Sequence, residues 1–423
     1  MKYPQRKLPN TSKILTKRNV SLLLALLLIP CYCYSKKRPI PLLLVSIDGF
    51  RYDYIEKYSP PTLRRIKDQG FQAKSLIPIY PSKTFPNHYS IITGLTAKNH
   101  GIISNSFLDR RRRNQVFKIS DKNKVNDGFW YEGEPIWVTA SKNGLKTASY
   151  FWVGSEALIK GVRPDYYKKY DFRDEGAKRV DQIINWLRLP SVKRPSFLTL
   201  YFSKVDSAGH RYGTNSPKLK SAIFDIDDSI GRLIRKLKKE KIICNILIVS
   251  DHGMRDVFPE GHVDLPKELL SDKNIKIVGK GTLSLIYVKD KSLIKKYFDL
   301  LKTSNKWYTY KQRDIPKTYS FIHKHRAPDI LLEAKLGNYI TLGTRKETSA
   351  HGTHGYNPED KQMHGILLGI GPNIKNIKIG PIKNIDLFPF MGKLLNLKDL
   401  PKVDGTIDSL KSVYKDNLNN TGK

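Results

Sequence analysis

Three continuous apolar runs of strand length stand out along the chain, and each leads to an aspartate. The runs extend over residues 42–47, 197–202 and 245–250. An apolar run without polar alternation is typical of a central strand that is covered on both faces. The aspartates that follow these runs are Asp48, Asp206 and Asp251, and His252 follows the last of them directly.

Segments with helical periodicity separate the runs. The clearest follows Ser216 and Pro217, with an apolar stripe from Leu219 to Leu237. Further helices are predicted over residues 61–69 with Ser59 as the cap, 87–93, 134–143, 174–187, 293–301 and 385–395. This alternation predicts an α/β fold with a largely parallel central sheet sandwiched by helices. Ligands bind beyond the carboxyl ends of such strands, where the three aspartates are expected.

The remaining segments predict how the chain is divided. Residues 1–35 combine a basic region, a short apolar run and Pro30, which is the order of a signal peptide or an uncleaved signal anchor. The protein is therefore expected to be exported, to a periplasm or beyond, with anchoring as the alternative. One elaborated domain is predicted over 36–410, including a smaller inserted subdomain at about 255–350, and residues 411–423 are predicted to be a polar tail.

Charge and composition narrow the class of protein. Hydrophobic residues make up 39% of the 423 positions, which favours a folded globule. The formal net charge is +36, but the lysines are scattered, and no specific nucleic-acid module is recognised. The sharpest basic cluster, residues 110–113, is predicted either to contact anionic substrates or an anionic membrane surface, or to be a solvated loop.

Carboxylates and histidines recur together near the predicted strand ends. Asp206 and His210 are four residues apart in a predicted turn, Asp251 precedes His252, and His354 lies in a histidine-rich segment. Each pair alone is a weak signal, and the repetition is what carries weight. Mixed carboxylate and imidazole ligands suit Zn²⁺ or a similar transition metal better than Ca²⁺ or Mg²⁺.

At this point the chain resembles the nucleotide pyrophosphatase/phosphodiesterases of the alkaline phosphatase superfamily. The matching segments keep the family's order and span most of residues 40–375. They are residues 45–51, 81–89, 93–95, 100–102, 105, 152–156, 206–210, 250–254 and 354–356. The resemblance implies an alkaline-phosphatase-like fold and a hydrolase that cleaves phosphodiester or pyrophosphate bonds of nucleotides and their derivatives.

The resemblance also implies roles for individual residues. Two divalent ions, with zinc as the expected metal, would be held by two ligand sets: Asp206, His210 and His354 for one, and Asp48, Asp251, His252 and the Thr84 oxygen for the other. Thr84 would be the nucleophile and would form a phosphothreonine intermediate, because coordination to a dication favours its alkoxide. The Asn105 side chain and the Thr84 amide would stabilise the developing charge.

The remaining matches concern the leaving ligand. Phe85 and Tyr170 resemble the family's pair that stacks on a nucleobase, and Trp152 and Glu156 are expected to line the same pocket. Two departures affect the shape of the pocket, because Val153 replaces an expected proline and Asn357 an expected acid. His88, His262 and His351 are predicted not to be direct metal ligands.

Two other functions stay open at this stage. The first is a related hydrolase that acts on monoesters, phosphonates or lysophospholipid and phosphocholine diesters. The chain lacks the serine nucleophile expected of a monoesterase and the Cys-x-Pro-x-Arg segment expected of a sulfatase. The second is a basic exported binding protein without turnover, which the intact nucleophile and ligand positions argue against.

Overall fold

The computed structural model describes residues 1, 4–5, 38–343 and 351–416. The predicted signal segment lies almost entirely outside the described residues. Within the described part of the chain, no helix has the length and apolar character needed to span a bilayer.

The strands, numbered in chain order, are β1 Leu42–Ile47, β2 Phe71–Ala73, β3 Leu76–Ile77, β4 Ser106–Asp109, β5 Gln115–Lys118, β6 Thr147–Tyr150, β7 Tyr166–Lys168, β8 Phe197–Phe202, β9 Asn245–Val249, β10 Arg255–Val257, β11 His262–Asp264, β12 Ile275–Val278, β13 Leu283–Val288, β14 Trp307–Lys311, β15 Ile330–Ala334, β16 Tyr339–Thr341, β17 His351–Thr353, β18 Leu367–Ile370, β19 Lys378–Ile379 and β20 Ile382–Lys383. The helices are α1 Tyr54–Tyr58, α2 Pro61–Gln69, α3 Thr84–Thr93, α4 Ala97–His100, α5 Lys122–Val125, α6 Ile136–Lys142, α7 Gly176–Leu187, α8 Lys204–Tyr212, α9 Pro217–Lys239, α10 Lys267–Ser271, α11 Ile294–Leu301 and α12 Leu387–Leu394.

Eight strands form the central sheet in the order β19-β2-β18-β9-β1-β8-β6-β7. The three strands predicted from apolar runs are neighbours at its centre, where β1 pairs in parallel with both β8 and β9. Strand β18 is antiparallel to its neighbours β9 and β2, so it alone reverses the direction of this sheet. The predicted α/β fold with a largely parallel sheet is confirmed.

Alternating residues of β1 explain why its sequence is apolar throughout. Leu42 and Leu44 belong to the core on one face of the sheet, whereas Leu43 and Val45 belong to the core on the other face. All four side chains are fully buried. Helices therefore cover both faces, and a polar residue on either face would be desolvated.

A second, antiparallel sheet has the order β12-β13-β15-β14. It lies within the segment predicted as an inserted subdomain, and its apolar core is formed with Trp307, Leu332 and Tyr356. Both sheets belong to one compact unit, residues 39–423. The proposed boundaries of an inserted subdomain stay a prediction.

Several predicted boundaries change. Helix α2 begins after Pro60 rather than being capped by Ser59, because Ser59 ends α1 in a left-handed conformation with φ 53°. Helix α3 begins at Thr84, three residues before the predicted start. The ordered chain also continues past residue 410, since Val413 is buried and its carbonyl accepts a hydrogen bond from the Lys375 amide.

Candidate active site

The three predicted aspartates meet at one edge of the central sheet. The parallel register pairs Ile47 with Phe202 and Ser46 with Val249, so the carboxyl ends of β1, β8 and β9 lie side by side. Asp48 follows β1 directly, Asp251 follows β9 after Ser250, and Asp206 lies in the first turn of the helix after β8. The Gly49 amide donates to Asp251 Oδ1 over 3.3 Å, which joins two of the strand ends.

Asp206 and His210 lie on helix α8, and not in the predicted turn. Their spacing of four residues places both side chains on one helix face. His210 Nε2 lies 3.4 Å from Asp206 Oδ1. The correction leaves the pairing intact, because a single helical turn brings the two groups together.

Two overlapping groups of side chains have the geometry of metal ligands. One contains Asp48, Asp251 and His252, the other Asp206, His252 and His354, and within each group the ligand atoms lie within 4.8 Å of one another. His252 Nε2 lies 3.0 Å from Asp251 Oδ2 and 3.4 Å from Asp48 Oδ1. The two groups thus contain five of the six predicted carboxylate and histidine ligands, with His252 in both. The sixth, His210, belongs to neither group and lies beside Asp206.

The three histidines share one hydrogen-bonding pattern. Nδ1 of His210, His252 and His354 lies 2.8, 2.9 and 2.7 Å from the backbone carbonyls of residues 352, 253 and 82. A carbonyl oxygen only accepts, so each Nδ1 carries the proton. In the neutral ring Nε2 then carries the lone pair, which is the tautomer that metal ligation requires.

Not every oxygen of the three carboxylates accepts a hydrogen bond. Asp48 Oδ1 and Asp206 Oδ1 are buried and accept no hydrogen bond within the described structure. Asp251 Oδ2 is also buried, and His252 Nε2 and His88 Nδ1 lie 3.0 and 3.2 Å from it. Burial and the nearby charges of Asp251 and Asp206 raise the pKa of Asp48 well above its usual value. Buried charges of one sign are costly without a counterion, so these residues fit one or more cations. Their mixed oxygen and nitrogen donors fit zinc.

Thr84 opens helix α3 at the same edge. Its Oγ1 lies 3.3 Å from His252 Nε2. As the first helical residue it also lies where backbone amides have no partner within the helix, a position that favours anions. The Thr84 hydroxyl, the His252 Nε2 and the free backbone amides at the start of α3 therefore lie close together.

Asn105 is tied to the loop that carries Thr84. Its Oδ1 accepts a hydrogen bond from the Phe85 amide over 3.0 Å. The bond fixes the side-chain amide, and its NH₂ group is available as a donor. The Thr84 amide, which was predicted to stabilise the same developing charge as Asn105, belongs to the preceding peptide.

Only some of the side chains predicted to form the base pocket contact one another. Tyr170 is 45% exposed, and its backbone amide donates to Glu156 over 2.8 Å. Phe85 packs against Phe117 with ring centroids 5.9 Å apart. Trp152 is buried and donates from Nε1 to the His88 carbonyl over 3.1 Å. Glu156 therefore positions Tyr170, and the stacking pair of Phe85 and Tyr170 stays a prediction.

Two side chains behind the ligands were not anticipated. The Tyr201 hydroxyl donates to Asp48 Oδ2 over 2.6 Å. His88 is fully buried, with Nδ1 3.2 Å from Asp251 Oδ2 and Nε2 2.8 Å from the Ser46 hydroxyl. A histidine in a helix with mostly buried positions was the available signal for His88, whereas Tyr201 carries none because a strand tyrosine is ordinary.

Two other histidines, His262 and His351, were predicted not to be direct metal ligands. The rings of His262 and His351 are 5.0 Å apart and pack with Tyr339. Neither belongs to the two ligand groups.

The central sheet covered by helices on both faces is an α/β fold of the alkaline phosphatase type. The chain matches the family described as Type I phosphodiesterase / nucleotide pyrophosphatase over residues 42–357, and it belongs to that family. It is 34% identical over 389 residues to human ectonucleotide pyrophosphatase/phosphodiesterase family member 1, covering 89% of this chain and 42% of the relative. It is also 34% identical over 388 residues to a venom phosphodiesterase of Naja atra, covering 89% of this chain and 46% of the relative.

Solved structures agree with this membership. Murine ectonucleotide pyrophosphatase/phosphodiesterase 5, as an inactive variant in complex with AMP, superposes with a TM-score of 0.83 and 29% identity. The match covers 89% of this chain and 100% of that chain. The human form of that protein gives a TM-score of 0.83 at 30% identity. The present chain spans less than half the length of the curated relatives it matches.

Proposed function

We propose that this protein is a metal-dependent hydrolase that cleaves phosphodiester or pyrophosphate bonds of nucleotides and their derivatives. The observation that carries the proposal is the Thr84 hydroxyl 3.3 Å from His252 Nε2, beside buried carboxylate oxygens of Asp48, Asp206 and Asp251. Family membership and the likeness to an AMP-bound relative support nucleotides as the substrate class.

Two divalent ions, with zinc as the expected metal, would be held by the two ligand sets. Asp206, His210 and His354 form one set, and Asp48, Asp251, His252 and Thr84 form the other. When bound, such ions supply Lewis acidity and lower the pKa of a coordinated hydroxyl or water. His252 belongs geometrically to both groups, and we assign it to the set of Asp48 and Asp251 because its Nε2 lies 3.4 and 3.0 Å from these two carboxylates.

Thr84 would act as the nucleophile in this proposal. Its oxygen attacks phosphorus, the P–O bond to the leaving alcohol or phosphate breaks, and a phosphothreonine forms. Water then cleaves that ester and returns the hydroxyl. The Asn105 amide is placed to donate to the third phosphoryl oxygen, where charge develops.

Phe85 and Tyr170 are proposed to hold the base of the nucleotide. Glu156 fixes the backbone of Tyr170, and Trp152 supports the opposite wall through its bond to the His88 carbonyl. Stacking on two rings would hold any base without selecting its hydrogen-bonding edge. We therefore expect broad tolerance of the base.

The protein is proposed to act outside the cytoplasm. Residues 1–35 have the order of a signal, and relatives include proteins named as ectoenzymes or venom components. Contact with an anionic membrane surface through residues 110–113 stays part of the proposal. Cleavage of the signal would be checked by sequencing the N-terminus of the exported protein.

Substitution of Thr84 tests the mechanism. Thr84→Ala should lower kcat for a nucleotide diester by at least about 10³-fold, while Thr84→Ser, which keeps a hydroxyl, should retain part of the activity. Both variants should retain metal, measured by elemental analysis. Full turnover by Thr84→Ala would contradict the proposal, and anion binding without turnover in the unmodified protein would favour a binding protein.

A substrate panel separates the related hydrolases. Rates would be compared for a nucleotide diester, a simple aryl diester, an aryl monoester, an aryl phosphonate and a phosphocholine ester. We expect the highest kcat/KM for the nucleotide diester, because only that substrate offers a base to Phe85 and Tyr170. Faster turnover of the phosphocholine ester or of the monoester would assign the chain to a different substrate class.

A further inference from the structure

A cavity of about 300 Å³ lies at one end of the second sheet, and none of its walls comes from the candidate active site. Strand β14 contributes Tyr308 and Tyr310, strand β15 contributes Glu333, and a turn after β14 contributes Tyr319. The volume lies at the small end of the range for pockets that bind small molecules.

The three tyrosine rings surround this space at different angles. The ring centroids of Tyr308 and Tyr310 are 6.3 Å apart and those of Tyr310 and Tyr319 are 6.5 Å apart, the second pair at 80°. Tyr319 is held in place by stacking on Tyr80 at 4.0 Å. The face of an aromatic ring carries negative electrostatic potential, so a ring face that borders the space attracts a cation.

The polar lining of the cavity is acidic, although the chain as a whole is strongly basic. Glu333 is 4% exposed, and its Oε2 accepts a hydrogen bond from the Tyr319 hydroxyl over 2.8 Å. Glu359 and Asp360 line the same space. Asp360 is engaged by Arg255 over 2.7 Å, so Glu333 and Glu359 are the carboxylates left to balance a ligand charge.

Lys335 shows that these rings accept an ammonium group. It lines the cavity, and its Nζ lies 5.1 Å from the centroid of the Tyr308 ring. This distance is within the range of a cation–π contact. The side chain of Lys335 is long and flexible, so its amine can leave the ring when another cation takes the place.

We propose that the tyrosine cage, defined as Tyr308, Tyr310, Tyr319 and Glu333, binds a small organic cation with an ammonium group. The rings attract the cation through their quadrupoles, and the buried carboxylate supplies the opposite charge. A neutral molecule of the same shape gains neither interaction. The proposal does not depend on hydrolysis, since the cage contains no residue of the candidate active site.

The ionisation of Glu333 gives the site a pH dependence. Burial raises the pKa of this carboxyl to about 7, against the smaller opposite effect of the Tyr319 hydrogen bond. The other titratable or charged groups that face it are Tyr80, Tyr308, Tyr310, Lys335, Glu359 and Asp360. The carboxylate form increases as the pH rises, so affinity for a cation should rise from about pH 6 to about pH 8.

The binding test uses tetramethylammonium as the probe and tert-butyl alcohol as its neutral isostere. Isothermal titration of the metal-loaded full chain should give a dissociation constant on the order of a millimolar for the cation and no measurable binding of the alcohol. Tyr308→Leu and Glu333→Gln should each weaken the cation by about tenfold. Lys335→Met should strengthen it, because the competing internal ammonium is removed.

Folding of the variants is checked by their unfolding midpoints. Tyr308 is half exposed, so its variant should keep the midpoint even if Glu333→Gln does not. Equal binding of the neutral isostere, or unchanged affinity in both Tyr308→Leu and Glu333→Gln, would overturn the proposal. Competitive displacement by Ca²⁺ would also overturn it, since that result would define a carboxylate metal site.

Discussion

Tyr201 acts on the candidate metal centre through Asp48. Its hydroxyl, 2.6 Å from Asp48 Oδ2, occupies one carboxylate oxygen and leaves Oδ1 directed to the ligand group. Burial and the Asp48 charge raise the pKa of Tyr201 well above its usual value, so the phenol stays a donor at all relevant pH values. A ligand oriented by such a bond binds metal with less loss of side-chain freedom.

We predict that Tyr201→Phe weakens metal binding and kcat/KM by about 10- to 100-fold, because the Asp48 carboxylate loses its orienting donor. Metal affinity would be measured by competition with a chelator of known affinity. Tyr89→Phe is the control, since Tyr89 is a buried tyrosine whose hydroxyl has no hydrogen-bond partner in the described structure. Equal effects in the two variants would show that Tyr201 acts by packing alone.

At the scale of residues, the sequence predicted which side chains would converge. It did not predict which side chains hold them in place. Asp48, Asp251 and His252 follow apolar runs directly, so parallel strands place them at one edge. The supports are different. His88 and Tyr201 look like ordinary residues of a buried helix and a buried strand in the sequence. The His88 contact with Asp251 arises from packing of α3 on the sheet, and the Tyr201 contact with Asp48 arises from the pairing of β8 with β1. Linear spacing carries no information about such contacts.

At the scale of elements, strands with unbroken apolar runs were predicted nearly to the residue, whereas α8 was predicted as a turn. The segment 204–212 has few apolar residues and contains Gly209, which lowers its intrinsic helix preference. The helix is supported by packing, since a Cβ on Gly209 would lie 3.0 Å from Met254 Cε. Tertiary contact therefore overrides local preference here.

Gly49 shows how closely β1 and α8 approach. Its φ of 68° disfavours other residues, and an added Cβ would lie 2.9 Å from both Cα and Cβ of Asp206. We predict that Gly49→Ala lowers the free energy of unfolding by more than the roughly 1–3 kcal/mol expected of backbone strain alone, and that it also weakens metal binding.

Gly144→Ala provides the comparison for Gly49→Ala. Gly144 has a similar φ of 72°, but nothing lies within 4 Å of an added Cβ. Its variant should therefore show strain without a clash and keep its metal. Denaturant unfolding and elemental analysis of both variants would measure the difference, and equal losses of stability would refute the steric part of the explanation.

At the scale of the whole molecule, the basic charge is less available than its formal value suggests. Arg110, Arg111 and Arg112 form ion pairs with Asp329, with Asp109 and Glu132, and with Asp127. Arg111 and Arg112 also pack over the Phe129 ring. Three of the four arginines thus have structural partners, which leaves less of this run for an anionic membrane surface.

Removal of the proposed metals should destabilise the entire fold. Three strand ends and α8 meet at buried carboxylates, and a chelator would leave those charges without a counterion. We predict that EDTA lowers the thermal unfolding midpoint by at least a few degrees and that Zn²⁺ restores it. Asp251→Asn should respond less to the chelator. An unchanged midpoint in the unmodified protein would mean that the cluster holds no cation.

His252 lies between the two ligand groups, and its Nε2 carries a single lone pair. One nitrogen cannot ligate two ions. The ion that binds His252 first would therefore leave the other ion with one ligand fewer. Under the two-ion proposal, loading would be sequential, with two unequal affinities. At substoichiometric metal, most half-filled molecules would then hold their ion at the same one of the two sites.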